Sequence, residues 1–226
     1  MDKYSGTDNL EIMTYAKNYN DFLINLIKIN TKKEEKILDF GAGLGYYSKK
    51  LSDEGFDISC LEPDASQSNK IEELGLLTFK FLSQIENESL DFIYSLNVLE
   101  HIKDDLGILN ELKKKLKKNG KILIYVPAFN ILYSSMDKKV GHFRRYTSSS
   151  LNTLALNSEL NVIKIKYVDF LGFFVSLLYK IIGDKNGNIS KGSVLFFDKY
   201  IFPPSKILDK IFNKIMGKNV YIILSK

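Results

Sequence analysis

Short apolar segments alternate with helical segments between residues 36 and 126. This alternation is typical of βαβ units, in which helices cover both faces of a parallel sheet. Because crossovers in such units are right-handed, the sheet is wound in both directions. We therefore predict a doubly wound α/β fold. The predicted strands comprise residues 36–40, 57–61, 77–81, 90–95 and 121–126, and the predicted helices residues 46–54, 65–74 and 104–118.

The segments on either side of this core follow other patterns. Apolar residues at helical spacing predict helix through the first thirty residues. After Pro127 comes an insertion rich in aromatic and charged residues, and no linker is long enough to divide the chain. We therefore predict one domain over residues 1–226, with a helical cover at 1–30 and a core at 31–127. The predicted later elements are an insertion at 128–146, a helix at 148–156, strands at 162–168 and 220–224, an apolar segment at 170–183, and a helical or irregular stretch at 194–216 that breaks at 203–204.

Composition excludes several classes of protein. The single cysteine, Cys60, excludes a disulfide framework. No apolar run reaches the roughly 18–20 residues of a membrane-spanning helix, and the acidic N-terminus does not resemble a signal peptide. The net charge of +5 is distributed along lysine-rich helices, which indicates a solvated surface and no nucleic-acid partner. A cytoplasmic protein is expected.

A glycine-rich turn joins the first predicted strand to the helix that follows. Its residues are Gly41-Ala42-Gly43-Leu44-Gly45, preceded by Asp39. Such a turn lets backbone amides approach a ligand closely. Glu62 ends the second strand, where a carboxylate can accept both hydroxyls of a ribose. A dinucleotide fingerprint would require glycine at position 46, which is tyrosine here.

The segments ILDFGAGLG, CLEPD and DFIYSLNVLEHI together resemble the class I S-adenosylmethionine-dependent methyltransferases. AKNYNDFL and VGHFRRYT are similar to a bacterial branch of that family, whose genes are often found near those of glycosyltransferases. The resemblance implies S-adenosylmethionine as cofactor, with S-adenosylhomocysteine as product. It also implies a mostly parallel seven-stranded sheet in the order 3-2-1-4-5-7-6, with the last strand antiparallel.

The resemblance also implies which residues hold the cofactor. Asp39 and the glycine-loop backbone would hold the methionine end, and Glu62 the ribose. Pro63, Asp64 and the pair Leu82–Ser83 would surround the adenine, while Asn97 would lie beside the methionine moiety. The predicted cofactor residues are Asp39, Gly41, Ala42, Gly43, Gly45, Glu62, Pro63, Asp64, Leu82, Ser83 and Asn97.

The chain has only two arginines, Arg144 and Arg145, and both occur in the segment GHFRRY. Because a guanidinium binds carboxylate or phosphate in a fork, we predict that this pair clamps an anionic group of the acceptor. Tyr146 could stack on an acceptor ring, and Tyr19 could close over the site. We also expect one of the two arginines to be structural, paired with Asp137 or Asp91.

Methyl transfer to oxygen or nitrogen can require a base. His101 and His142 are the only histidines and are the candidates, since their ordinary pKa suits proton transfer at neutral pH. Some related methyltransferases hold a divalent ion with an ExxEH arrangement, but Asn97 replaces the first acid here. Two ligands in one turn are too few for a stable site, so no metal is expected.

The apolar segment 170–183 leaves alternatives open. It could form a wall for a lipid-linked acceptor or lie on a membrane surface. The simpler alternative is a core helix that packs on the sheet edge or at a dimer interface. A monomer and a homodimer both fit. Lysines 113–118 are predicted to lie on the solvated end of a helix.

The predicted function is methyl transfer from S-adenosylmethionine to a small polar acceptor. The favoured acceptor is a hydroxyl of a sugar, sugar-nucleotide or glycan. Two alternatives stay open: an NAD-dependent oxidoreductase with a degenerate glycine loop, and a non-catalytic nucleotide-binding module.

Overall fold

A computed structural model describes residues 7–226, and the first six residues of the predicted cover lie outside this range. Seven strands form one sheet in the order β3-β2-β1-β4-β5-β7-β6, and β7 runs antiparallel to both of its neighbours. This confirms the predicted order. The strands are β1 (Lys36–Phe40), β2 (Asp57–Leu61), β3 (Leu77–Phe79), β4 (Leu90–Leu96), β5 (Leu116–Pro127), β6 (Asn161–Val168) and β7 (Asn219–Ser225).

Helices cover both faces of the sheet, as the doubly wound pattern predicts. The α-helices are α1 (Thr7–Met13), α2 (Lys17–Lys28), α3 (Tyr46–Asp53), α4 (Ala65–Glu73), α5 (Asp105–Lys115), α6 (Ser135–Val140), α7 (Ser148–Asn157), α8 (Phe170–Ile182), α9 (Lys191–Phe196) and α10 (Phe202–Phe212).

Alternating side chains of the central strands fill two cores. On one face, Leu38 and Ile93 pack in a cluster that includes Leu109 of α5 and Leu151 of α7. On the other face, Phe92 of β4 packs in a cluster that includes the buried residues of α2. This follows from the two-residue period of a strand, which sends neighbouring side chains to opposite faces. The central strands are therefore buried on both faces, and the parallel strands end at the same edge of the sheet.

Two helical predictions need correction. Within residues 7–30 of the predicted cover, two helices are separated by a turn at residues 14–16, where Asn20 donates its side-chain amide to the Met13 and Thr14 carbonyls. The helix predicted over 104–118 ends at Lys115, and Leu116 begins β5. Lys115 is buried and donates to the carbonyl oxygen of Ile85 at 2.8 Å. The lysine run is therefore not wholly a solvated helix end.

The C-terminal helices differ from prediction in two ways. Residues 191–212 are helical throughout, and a π-helical stretch at Phe197–Ile201 precedes the two prolines. Because proline lacks an N–H and clashes with the carbonyl four residues earlier, a wider turn there lets the helix continue. Gly172 is the one buried residue of α8, which excludes a core helix. Among the described residues, no helix is both long and apolar enough to cross a membrane.

Candidate cofactor and acceptor site

The glycine turn lies at the carboxyl edge of the sheet, between β1 and α3. Gly41, Gly43 and Gly45 all have positive φ angles, a conformation that strains other residues. A Cβ atom at Gly41 would come within 2.5 Å of Val98, which follows β4. A Cβ atom built at Gly43 would have its nearest neighbours 3.6 Å away. The loop therefore packs tightly at Gly41 and presents its backbone at Gly43.

Glu62 lies directly against this loop. Its carboxylate accepts a hydrogen bond from the Gly43 amide at 2.8 Å and another from the Asp64 amide at 3.0 Å. The side chain is buried, and burial raises its pKa above the ordinary value. The backbone thus holds the carboxylate at the tip of β2, beside the glycine turn, where a ribose would bind.

Asp39 is buried at the end of β1. One carboxylate oxygen accepts hydrogen bonds from Ser48 at 2.6 Å and from the Tyr94 hydroxyl at 2.9 Å. Burial raises the pKa of Asp39 to about 7, although both hydrogen bonds oppose the shift. A cationic ammonium group nearby would favour the ionised form.

The other predicted cofactor residues lie around the same edge. Asp64 is the N-cap of α4 and accepts from the Ser66 and Gln67 amides; Pro63 before it is exposed. Leu82 and Ser83 belong to a 3-10 turn after β3. Asn97 follows β4 with a φ of 56°, and its backbone N–H donates to the Tyr125 carbonyl at 2.7 Å.

The N-terminal helices cover this edge. The Leu10 side chain of α1 lies 3.6 Å from where a Gly43 Cβ would be. The ring of Tyr19 in α2 meets that of Tyr125 in β5 edge to face, with centroids 6.3 Å apart, and burial raises the pKa of this tyrosine to about 12. The two helices therefore lie over the glycine turn and against β5.

In the insertion after β5, the Arg145 guanidinium binds other groups of the protein. Its guanidinium donates Nε and Nη2 to the two carboxylate oxygens of Asp137, at 2.8 and 2.9 Å, and both side chains are buried. Nη1 donates to the Ala128 carbonyl at 3.3 Å. The role of Arg145 as an anion clamp is corrected: it is the structural arginine, and Asp137 is its partner.

Arg144 and Tyr146 share a different partner, Asp105 at the start of α5. The Arg144 guanidinium lies 2.6 Å from the Asp105 carboxylate, and the Tyr146 hydroxyl donates to the same carboxylate at 2.8 Å. Because Tyr146 is buried, it is not placed to stack on an acceptor. Arg144 is partly exposed and borders a surface depression of about 420 Å³ between α5 and α7.

The two histidines come together although 41 residues separate them. Their rings meet edge to face, with centroids 4.5 Å apart. His142 Nδ1 hydrogen-bonds Asp137 at 2.7 Å, while its Nε2 lies 3.7 Å from Glu100 Oε1. Burial and the neighbouring His142 lower the pKa of His101 to about 4, so this imidazole is neutral and weakly basic at pH 7.

Sequence reasoning missed some supporting residues. Ser48 and Tyr94 hold Asp39, and Val98 closes over Gly41. Ser48 and Tyr94 carry hydroxyl groups on a predicted helix and a predicted strand of the core. A buried hydroxyl needs a hydrogen-bond partner, and this signal points to a polar group such as Asp39. No signal within the sequence identifies Val98.

A family model described as a methyltransferase domain matches residues 14–165. The match covers the glycine turn, Glu62 and the histidine pair, and it excludes the oxidoreductase alternative. The chain therefore belongs to the methyltransferase domain family, within the class I enzymes that use S-adenosylmethionine.

The chain is also similar to individual proteins. An uncharacterized protein of Mycobacterium tuberculosis is 28% identical over an alignment of 115 positions that covers 42% of this chain and 39% of that protein. The chain thus spans less than half the length of this relative. A Thermotoga maritima structure described as a possible histamine N-methyltransferase shares the fold, with 15% identity, 97% and 94% coverage of the two chains and a TM-score of 0.66. A Haemonchus contortus phosphoethanolamine N-methyltransferase bound to S-adenosylmethionine has 16% identity, 87% and 49% coverage and a TM-score of 0.59.

Proposed function

We propose that this chain transfers the methyl group of S-adenosylmethionine to a hydroxyl of a sugar or glycan. The binding of S-adenosylmethionine is supported above all by the position of the Glu62 carboxylate. It accepts hydrogen bonds from the Gly43 and Asp64 amides, beside a loop with three glycines in the left-handed conformation. The methyl–sulfur bond breaks as the methyl–oxygen bond forms, which leaves a neutral thioether and releases the hydroxyl proton to solvent. The protein therefore needs to align acceptor, methyl and sulfur and to keep bulk water from competing as acceptor. The cover helices supply the exclusion.

The surface near the insertion supports an acceptor carried on a lipid. Residues 170–216 contain seven lysines and three aspartates, a net charge of +4 out of the chain's +5. Two of these aspartates, Asp198 and Asp209, are buried. Large apolar side chains of α8 and α10 face solvent between the lysines, among them Phe174, Ile181, Ile182, Ile207 and Ile211.

Helix α8 of this pair contacts the insertion at 128–146, which we propose covers the acceptor. Phe129 packs on Phe173 of α8 with ring centroids 5.6 Å apart, and Lys180 donates to the Ile131 carbonyl at 2.7 Å. An apolar face bordered by lysines favours an anionic membrane surface. We therefore place the protein on the cytoplasmic face of a membrane, as a peripheral protein beside a lipid-linked glycan acceptor.

Two experiments test this proposal. Labelled S-adenosylmethionine is incubated with the protein and with nucleotide sugars, lipid-linked saccharides or phosphoethanolamine, the last because a structural relative carries that acceptor in its name. We expect label in the saccharides. Label only in phosphoethanolamine would overturn the acceptor class, and cofactor binding without any transfer would favour the non-catalytic module.

Vesicle sedimentation tests the membrane surface. Ile181→Asp and Ile211→Asp should each reduce binding to vesicles with anionic phospholipid by several-fold. Leu156→Asp is the matched control, since Leu156 is similarly exposed but lies on α7. Equal loss in all three variants would contradict the assigned face.

A further inference from the structure

The pair of histidines lies against a carboxylate that is sealed from solvent. Glu100 follows β4 and has no exposed surface. Within residues 7–226, neither of its carboxylate oxygens accepts a hydrogen bond from another residue. A buried carboxylate without a partner is costly, whereas a coordinated metal ion satisfies it.

Three ligand atoms converge at this point. One carboxylate oxygen of Glu100 and one ring nitrogen each of His101 and His142 lie within 4.8 Å of one another. Two ligands about 2.1 Å from a tetrahedral ion are about 3.4 Å apart, and the observed separation of Glu100 Oε1 and His142 Nε2 is 3.7 Å. Small side-chain rotations would therefore complete the site.

Hydrogen bonds from α6 and its flank orient both imidazoles. Asp137 holds Nδ1 of His142 at 2.7 Å, which in the neutral ring leaves the Nε2 lone pair directed at Glu100. The His101 ring hydrogen-bonds the Val140 carbonyl. Histidines that ligate metals usually donate their other ring N–H to such a carboxylate or carbonyl. Arg145 in turn fixes Asp137, so the arginine of the GHFRRY segment supports the histidine of the same segment.

We propose that Glu100, His101 and His142 bind a divalent transition-metal ion. Two imidazoles and one carboxylate suit Zn²⁺ or Fe²⁺, whereas Mg²⁺ and Ca²⁺ prefer oxygen ligands. From the sequence no metal is expected, because Glu100 and His101 are the only two ligands in one turn. In the structure His142 of the insertion is the third ligand. Ligation replaces the general-base role predicted for both histidines. It also ties the insertion to the end of β4, close to Val98 and the glycine turn.

Calorimetry with Zn²⁺ on untagged protein, without cofactor or acceptor, tests this site apart from the methyltransferase proposal. The background is low because the chain has two histidines and one buried cysteine. We expect one saturable site for Zn²⁺ and no comparable binding of Mg²⁺. His101→Gln and His142→Gln should abolish it, and Glu111→Gln, on the exposed surface of α5, should not. Asp137→Asn should weaken it roughly 10–100-fold.

Folding of the variants is checked by circular dichroism. If they unfold, the visible absorption of Co²⁺ bound to the unmodified protein decides the question, since a four-coordinate site gives intense bands and six-coordinate Co²⁺ on surface carboxylates gives weak ones. No saturable Zn²⁺ binding, or binding that persists in both folded histidine variants, would overturn the proposal.

Discussion

The proposed cofactor edge and the insertion after β5, which we propose faces the acceptor, are built in different ways. At the cofactor edge, a five-residue turn and one carboxylate at the next strand tip are held together by backbone amides of Gly43 and Asp64. On the acceptor side, side chains from the end of β4 and from the insertion hold one another, as in the pair of Asp137 and Arg145. Local backbone geometry can be deduced from sequence, whereas the sequence leaves the partner of the structural arginine undecided between Asp137 and Asp91.

The largest expected effect distinguishes the two arginines. Arg145→Gln should lower the free energy of unfolding by about 3–5 kcal/mol, because Asp137 would remain buried without its cation. Burial opposes ionisation of Asp137, yet the hydrogen bonds from His142 and Arg145 hold its pKa well below the usual range. Urea denaturation measures the change. A loss below about 1 kcal/mol would show that Arg145 is not the structural arginine.

The fold itself was largely predictable. The strand order follows from the resemblance and agrees with the alternation of apolar strands and helices. Each strand or helix is indicated by the spacing of apolar residues close together in the sequence, so no long-range contact has to be known. The end of α5 was missed because Lys115 is buried by contacts with Ile85 and Asn87, which lie 30 and 28 residues away. The sequence predicts that one arginine pairs with either Asp137 or Asp91. It does not decide between them, because the partner depends on how the insertion folds.

The cofactor edge can be tested through Glu62. Glu62→Ala should weaken binding of S-adenosylmethionine about 100-fold or more, which corresponds to about 2.7 kcal/mol. The variant removes the carboxylate proposed to accept the ribose hydroxyls. Isothermal titration calorimetry measures the affinity. Glu72→Ala, an exposed site on α4, is the matched control. Unchanged affinity in the Glu62 variant would contradict the ribose assignment.

Asp39 links stability and binding at the same edge. Because burial raises its folded pKa from 3.8 to about 7, its ionisation costs stability progressively as pH rises between these values. Asp39→Asn should therefore stabilise the free protein by an amount that grows from pH 4 to pH 7 and then levels at about 2–4 kcal/mol. The same variant should bind S-adenosylmethionine roughly tenfold less tightly, since the cationic methionine end loses its counter-charge.

Thermal melts and calorimetry at pH 5 and pH 8 measure both effects of the Asp39 change. Ser48→Ala is the comparison, because it removes one hydrogen bond to Asp39 but retains the carboxylate. Destabilisation by Asp39→Asn at pH 8 would show that the carboxylate is stabilised when ionised, contrary to the shift that its burial causes.

The smallest expected effect concerns Arg144 and sharpens the contrast on the acceptor side. Arg144→Gln breaks a partly exposed pair with Asp105, and such pairs contribute less than about 1 kcal/mol to folding. If Arg144 still contacts an anionic group of the acceptor from its surface depression, the variant should raise KM for the acceptor several-fold with kcat and cofactor affinity unchanged. Steady-state kinetics at two salt concentrations distinguish this from a fold defect, because salt screens an exposed guanidinium and leaves the buried Arg145 pair largely intact. An unchanged KM would leave the insertion with no arginine for the acceptor, and recognition would then rest on its aromatic and polar groups.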